Sequence, residues 1–263
     1  MIKDISVSLR WNTAIRHTYK EQELFGKEEK MYTFDSRVRY SEIDHTGNMT
    51  LPALINYFQD CSTFQSEDIG LGTEVLKAKK KAWILSYWQI VIERLPALGE
   101  RITAGTFATE FKGLYGNRNF VLDDARGNRL AYANSVWVFM DMEKGRPARP
   151  EPEDVLPYGS EPALEMEYED RKIRLPENLE EKPSFPVRKY HIDTNEHVNN
   201  CQYVQMAMDY LPENFKIHQM RAEYKQQARL NDVICPARAV DENKTTVLLN
   251  DQKGEPYAVV EFK

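Results

Sequence analysis

One pattern occurs twice in this chain, and that constrains its fold more than any other feature. Val38-Arg-Tyr-Ser-Glu-Ile-Asp-His-Thr-Gly-Asn-Met-Thr50 aligns with Val187-Arg-Lys-Tyr-His-Ile-Asp-Thr-Asn-Glu-His-Val-Asn199 at one constant offset, which sets Asp44 on Asp193 and Asn48 on His197. The flanking elements match too. An alternating strand, Tyr32–Tyr40, leads into the first copy, and a helix is expected from about Leu51, with Pro52 well placed in its first turn. Leu54, Ile55, Phe58, Cys61 and Phe64 recur at spacings of three and four, one face of that helix. The second copy opens onto a shorter helix-like run, Tyr203–Leu211.

After the first helix the period changes. Trp83–Ile92, Arg101–Phe107, Arg118–Leu122 and Leu130–Met140 read as strands, with Asp123–Asn128 a hairpin turn between the last two. Asn231-Asp-Val-Ile234 echoes Gly99-Glu-Arg-Ile102, and Asp251-Gln-Lys-Gly254 echoes the earlier hairpin. Each half therefore reads strand, motif, helix, antiparallel strands. That order predicts an α+β unit with one helix laid across a curled sheet, and two such units paired as an internal pseudo-dimer. We divide the chain into an N-terminal domain with an extension (1–145), a linker (146–186) and a C-terminal domain (187–263). The linker holds eight prolines and many glutamates, a composition with few long elements.

Composition removes several classes of function. A net charge of −6 argues against nucleic acid as partner, which calls for a basic footprint. No apolar run approaches the ~20 residues of a membrane helix. Met1-Ile-Lys-Asp-Ile-Ser-Val7 lacks an apolar signal core and the acid-poor character of a transit peptide, so a cytoplasmic location is expected. Three cysteines, Cys61, Cys201 and Cys235, show neither a disulfide framework nor metal-ligand spacing. Cys201, beside the motif, reads as a small buried helix residue rather than a nucleophile.

The second copy concentrates chemistry. Asp193, Asn195, His197, Asn199 and Asn200 stand within a few residues of one another, just before the helix-like run. Backbone N–H groups at a helix start carry positive dipole density, which suits polarising a carbonyl while a neighbouring group activates water. Each residue has a plainer reading: Asp193 and Asn195 as turn caps, His197 as a hydrogen-bonded structural histidine. A Ca²⁺ loop does not fit, because the later ligands and turn glycine are missing. Asp44 reads as a structural relic, its partner positions now Asn48 and Thr50.

Asp193-x-Asn195-x-His197-Val198-Asn199-Asn200-x-x-Tyr203 resembles the active-site motif of the acyl-ACP thioesterases of plants and bacteria. Trp83, Ser135-x-Trp137 with Asp141 at its strand's end, and Arg118 support the likeness, which covers most of the chain from about Tyr32. The resemblance implies two tandem hot-dog domains, the first shaping an acyl-chain pocket and the second supplying catalysis. It also implies hydrolysis of acyl-[acyl-carrier protein], without a cofactor or metal, in fatty acid biosynthesis. The partner implied is an acyl carrier protein bearing an acyl-phosphopantetheine; a homodimer is left open.

One departure stands out: where plant relatives carry Glu-Cys, this chain has Gln227-Ala228. An amide cannot act as a base, so the chemistry moves to Asp193 and His197, either of which could activate the water, with Gln227 left to hold water or carbonyl. N–H groups near Asn199 and Asn200 are expected to face the thioester oxygen. Lys79, Lys80 and Lys81 form the one dense basic run, a solvated helix end or a docking patch for an acidic carrier. A non-catalytic acyl-thioester binder and an acyl-CoA thioesterase are the alternative readings.

Overall fold

The computed structural model describes residues 31–263 of the chain. In chain order these run β1 (Tyr32–Arg37), α1 (Leu51–Asp68), α2 (Thr73–Ala78), β2 (Lys81–Ile92), β3 (Arg101–Lys112), β4 (Tyr115–Asp124), β5 (Arg129–Asp141), β6 (Arg146–Pro147) and α3 (Pro152–Val155). The second half adds β7 (Glu180–Glu181), β8 (Phe185–Pro186), α4 (Asn200–Met208), β9 (Gln219–Tyr224), β10 (Val233–Asp241), β11 (Lys244–Asn250) and β12 (Pro256–Phe262). All strands join one antiparallel sheet in the order β1-β3-β4-β5-β2-β9-β12-β11-β10-β7, with β8 also on β10.

That order is a palindrome once β9, β12, β11, β10 and β8 are taken as the second-half counterparts of β2, β5, β4, β3 and β1. The pairing of β2 with β9 shows the mirror in detail. Trp88 faces Ala222, Gln89 faces Arg221 and Ile90 faces Met220, so the register is symmetric about the Gln89–Arg221 pair. This is the self-complementary contact of a two-fold dimer, here within one chain. The entry to each half is also alike. Val38 and Val187 each trade backbone hydrogen bonds with a turn, Gly99–Glu100 and Asn231–Asp232, and Gly99 and Asn231 both have positive φ (79° and 71°).

The strands alternate as the sequence requires. Trp88, Ile90, Phe120, Leu122 and Ala133 point to the inner face, where α1 buries Leu54, Ile55, Phe58 and Cys61. Phe58 packs against Trp88 and Phe120 at centroid distances of 6.1 and 5.3 Å. One position departs from the expected helix face. Phe64 is 44% exposed and lies edge-on to Phe34, while Gln65 is buried. The reason is Arg118 on β4, buried without a carboxylate partner among the described residues; it donates to the Gln65 amide oxygen and to Thr106 Oγ1 (3.1 Å) and lies 5.2 Å from the Tyr158 ring. Burial lowers the Arg118 pKa to about 10. A buried cation needs acceptors around it, and Gln65 supplies one.

The Pro/Glu-rich segment has few elements, as its composition implies, yet it is docked as a strap across the outer face. The Leu164 N–H donates to Asn119 Oδ1 (2.9 Å), the Glu169 N–H to Gln89 Oε1 (3.0 Å) and the Ile173 N–H to Glu223 Oε2 (3.1 Å). Those side chains sit on β4, β2 and β9, so the strap crosses the seam between the halves. Ile173 then buries itself against Leu248 and Val259. Under the strap Arg221 donates to Glu261 Oε1 from Nη2 (2.7 Å) and Nε (3.0 Å), with Glu169 at 3.6 Å. The expected α+β pseudo-dimer, a helix wrapped by antiparallel sheet in each half, is the architecture observed.

Candidate active site

Both copies of the motif fold into the same loop, so the first serves as an internal control for the second. A 3₁₀ turn opens each, Tyr40–Glu42 and Lys189–His191. A single bridge closes each, Ile43 with Met49 and Ile192 with Val198. The Asp44 N–H donates to the Asn48 carbonyl and the Asp193 N–H to the His197 carbonyl, both at 2.9 Å. Each loop then delivers a helix cap: Thr50 Oγ1 accepts from the Ala53 N–H, and Asn199 Oδ1 from the Cys201 N–H. Asp193 and His197 are therefore held at the mouth of α4 by backbone geometry that the sequence dictates locally.

The side chains differ. In the first loop the Thr46 hydroxyl and N–H both donate to Asp44 Oδ1 (2.6 and 2.8 Å), and Asn48 Nδ2 donates to Thr46 Oγ1 (2.9 Å). Although burial works the other way, those hydrogen bonds hold the Asp44 carboxyl below the usual range. All of the bonds that Asp44 accepts end on Oδ1, so what sets it apart from Asp193 is the added hydroxyl donor of Thr46.

In the second loop Asp193 Oδ1 accepts the Asn195 N–H at 2.8 Å and, weakly, the His197 N–H at 3.5 Å. No donor among the described residues reaches Asp193 Oδ2. The Asn195 side chain, which replaces Thr46, is exposed and makes no hydrogen bond among the described residues. His197 Nδ1 is buried and lacks a partner among the described residues. Where Gly47 turns the first loop at φ 81°, the non-glycine Glu196 takes φ 63° in the second. Left-handed backbone at such a residue is strained, and strain of this kind gathers at functional loops.

The segment after β9 lies alongside. The Val198 N–H donates to the Ala228 carbonyl (2.9 Å) and the Ala228 N–H to Tyr203 Oη (2.8 Å). Tyr224 Oη donates to the Asn200 carbonyl at 3.0 Å. Burial pushes both phenols well above the ordinary tyrosine value, so they serve as neutral struts. The fold thus brings Gln227 next to the motif on the Ala228 segment, but its carboxamide is exposed and unpartnered among the described residues. Tyr224 went unnoticed in the sequence because one strand tyrosine among many carries no local signal.

The helix N-terminus is narrower than expected as a source of donors. The Asn199 N–H is spent on the His191 carbonyl (2.9 Å) and the Cys201 and Gln202 N–H groups on the Asn199 cap. Only the Asn200 N–H in that first turn has no acceptor among the described residues. Cys201 is buried with its thiol pushed up to about 12 by desolvation, which fits the reading of it as an inert helix residue.

The three lysines lie elsewhere and are not free. Lys79 pairs with Glu153, Lys80 with Glu143, and Lys81 with fully buried Asp154 at 2.7 Å. An open cavity of about 500 Å³ at the β3–β4 hairpin, lined by Lys112, Tyr115, Val136 and Arg171 among others, contains no residue of the motif.

Two family models match the chain. Residues 29–158 match the model of the acyl-ACP thioesterase N-terminal domain, and residues 176–261 that of the C-terminal domain. The chain belongs to the acyl-ACP thioesterase family. It is 24% identical over 223 residues to a chloroplastic acyl-[acyl-carrier-protein] hydrolase of Cuphea viscosissima, covering 79% of this chain and 54% of the relative. The chain thus spans about half the length of the plant relatives it matches. Among solved structures, an acyl-ACP thioesterase from Bacteroides thetaiotaomicron superposes with a TM-score of 0.83 at 23% identity, over 90% of this chain and 99% of that one. The 12:0-ACP thioesterase from Umbellularia californica gives 0.78 at 17% identity, over 91% and 98%. Both share the tandem hot-dog fold. No helix among the described residues is long and apolar enough to cross a membrane.

Proposed function

We propose that this protein hydrolyses the thioester of an acyl-[acyl-carrier protein], releasing the free fatty acid, at the loop that carries Asp193 and His197. The observation that carries the reading is the buried, unpartnered His197 Nδ1 beside a carboxylate with one uncommitted oxygen. A buried imidazole nitrogen without a partner costs roughly 1–3 kcal/mol, a cost relieved when a ligand or its attacking water engages it.

Thioesters need little acid assistance because the thiol is a good leaving group. The requirement is an oriented water, a base and a donor for the oxyanion. In this mechanism Asp193 Oδ2 takes a proton from water as its oxygen attacks the carbonyl carbon, and His197 orients that water. The Asn200 N–H, with the positive end of α4 behind it, faces the developing oxyanion. Collapse breaks the C–S bond, and the proton held by Asp193 passes to the departing thiolate. His197 as the base is the second assignment of the same proton. Gln227 serves at most to position, since its amide takes no proton.

The test is thiol release from acyl carrier proteins loaded with C8 to C18 chains, beside the matching acyl-CoAs. Faster turnover of the carrier series supports the reading and gives the chain length; faster turnover of the CoA series makes this an acyl-CoA thioesterase. Tight binding without thiol release makes it a binding protein.

A further inference from the structure

The duplicated loop also exposes a charge difference beside the site. In the first copy Arg39 Nε pairs with Glu42 Oε1 at 2.7 Å, and the Arg39 N–H donates to the same carboxylate at 2.8 Å. The second copy keeps the backbone half of this arrangement, because the Arg188 N–H donates to His191 Nδ1 at 3.0 Å. It loses the carboxylate, since His191 stands where Glu42 does. Burial and the Arg188 charge push the His191 pKa down, so the imidazole stays neutral and offers the guanidinium nothing.

Arg188 is exposed and forms no ion pair among the described residues, nor does exposed Lys189 next to it. A third such cation adjoins them. The turn from Arg229 to Asp232 is tied to Val187 by two backbone hydrogen bonds, and Asp232 Oδ2 is committed to the Arg229 N–H at 2.7 Å. The Arg229 guanidinium itself is unpaired among the described residues. Tyr190 (77% exposed) and Leu230 (41%) give the same surface an apolar component. Glu196 is the exposed acid that remains on the loop. On a chain of net charge −6, three cations without an ion pair among the described residues, two on the motif loop and one on the turn tied to its start, stand out. Lys79, Lys80 and Lys81, by contrast, each already hold a carboxylate.

We propose that Arg188, Lys189 and Arg229, with Tyr190 and Leu230, form the face on which an acidic acyl carrier protein docks to present its thioester to the Asp193 loop. This rests on the thioesterase reading for its partner. Unpaired surface cations keep their charge available for an acidic partner and steer its approach, an effect that salt screens.

The experiment measures binding of a fluorescent carrier protein, acylated through a non-hydrolysable amide, by anisotropy with the full chain. Arg188→Glu/Arg229→Glu is expected to weaken the complex at least tenfold at low salt, the difference shrinking towards ~0.5 M salt as the Debye length falls to a few ångströms. Lys79→Glu/Lys80→Glu is expected to change it less than twofold. Equal effects of the two pairs, or a larger one at the lysines, would overturn the proposal. The milder Arg188→Gln/Arg229→Gln, with unchanged melting, covers the case in which charge reversal disturbs folding; a binding constant equal to wild type for it would also overturn the proposal. Turnover of a carrier-free acyl-N-acetylcysteamine thioester by the wild type tests the hydrolase reading separately: its absence sinks that reading without touching the anisotropy result.

Discussion

Cys201 donates its thiol hydrogen to the carbonyl of Pro52 at 3.3 Å, and the two residues occupy the same place in the duplicated pattern, 149 positions apart. The helices α1 and α4 therefore meet at equivalent points of their first turns. This contact makes Cys201 a packing residue at the pseudo-symmetry axis. Cys61 is buried as well, its thiol also pushed up to about 12. In the folded protein a thiol reagent at pH 8 is expected to modify Cys235 alone, and Cys201→Ser is expected to keep its turnover. Modification of two or three thiols without unfolding would contradict the burial argument.

Asp193 and Asp44 give a matched pair of substitutions. Asp193→Asn removes the proposed base and is expected to cut kcat by about 10²–10⁴, with KM little changed. Asp44→Asn is expected to leave kcat within about twofold of wild type and to lower the melting temperature, because that carboxylate only ties its own loop. A comparable loss of kcat in both would remove the distinction between the loops.

Glu196 holds the left-handed position that Gly47 fills in the first loop. Glu196→Gly is expected to stabilise the fold by about 0.5–1 kcal/mol, measured by urea denaturation, since glycine adopts φ 63° without the Cβ penalty. A destabilised variant would mean that the Glu196 side chain makes contacts worth more than the strain.

The Arg221–Glu261 pair lies almost wholly buried beneath the strap, with side-chain exposures of 8% and 3%. Glu261→Gln leaves the arginine charge without its main partner. The expected cost is roughly 3 kcal/mol, the low end for breaking a buried pair, because Glu169 remains within 3.6 Å of Arg221. Calorimetry should show one transition at lower temperature, both halves melting together. Two separated transitions would show that the seam does not couple them.

Glu169 offers a test in pH. The hydrogen bond from Lys263 and, after it, the Arg221 charge hold its carboxyl below the usual range, against the pull of burial. A depressed carboxylate contributes stability above its unfolded pKa and loses it as pH falls through the folded one. Wild type should therefore melt higher than Glu169→Gln at pH 7, the gap closing as the solution is acidified below about pH 4. A gap that persists at pH 2.5 would place its cause outside the titration of Glu169.

Much of this was legible in the sequence, for reasons that can be named. Pro52 and the three-four spacing of Leu54, Phe58 and Cys61 specify α1 locally, so its start near Leu51 was legible, although the Thr50 cap that fixes it was not read from the sequence. The strands of the first half announced themselves by alternation. The motif likewise put Asp193 and His197 in one loop, because a cap and a turn are short-range structures. What was not legible depended on partners far along the chain. Phe64 gave way to Gln65 because Arg118, distant in sequence, is buried opposite. Lys81 finds Asp154, and the strap finds Asn119 and Gln89, by tertiary contact alone; a proline-rich run has no periodicity to say which face it covers. The loss of the Asn199 N–H to His191 is of the same kind, and it leaves the Asn200 N–H without an acceptor among the described residues.

The strap has a further consequence for how such a molecule can change. Two separate hot-dog subunits would associate less as they were diluted, and any substitution in one would be imposed on its twin. With the seam internal and tied across its back, the pairing of β2 with β9 is independent of protein concentration. Each copy of the loop is also free to accept substitutions that the other could not tolerate. Thr46 could give one aspartate a hydroxyl donor that Asn195 does not give the other, and Glu42 could neutralise one arginine while His191 leaves its counterpart charged.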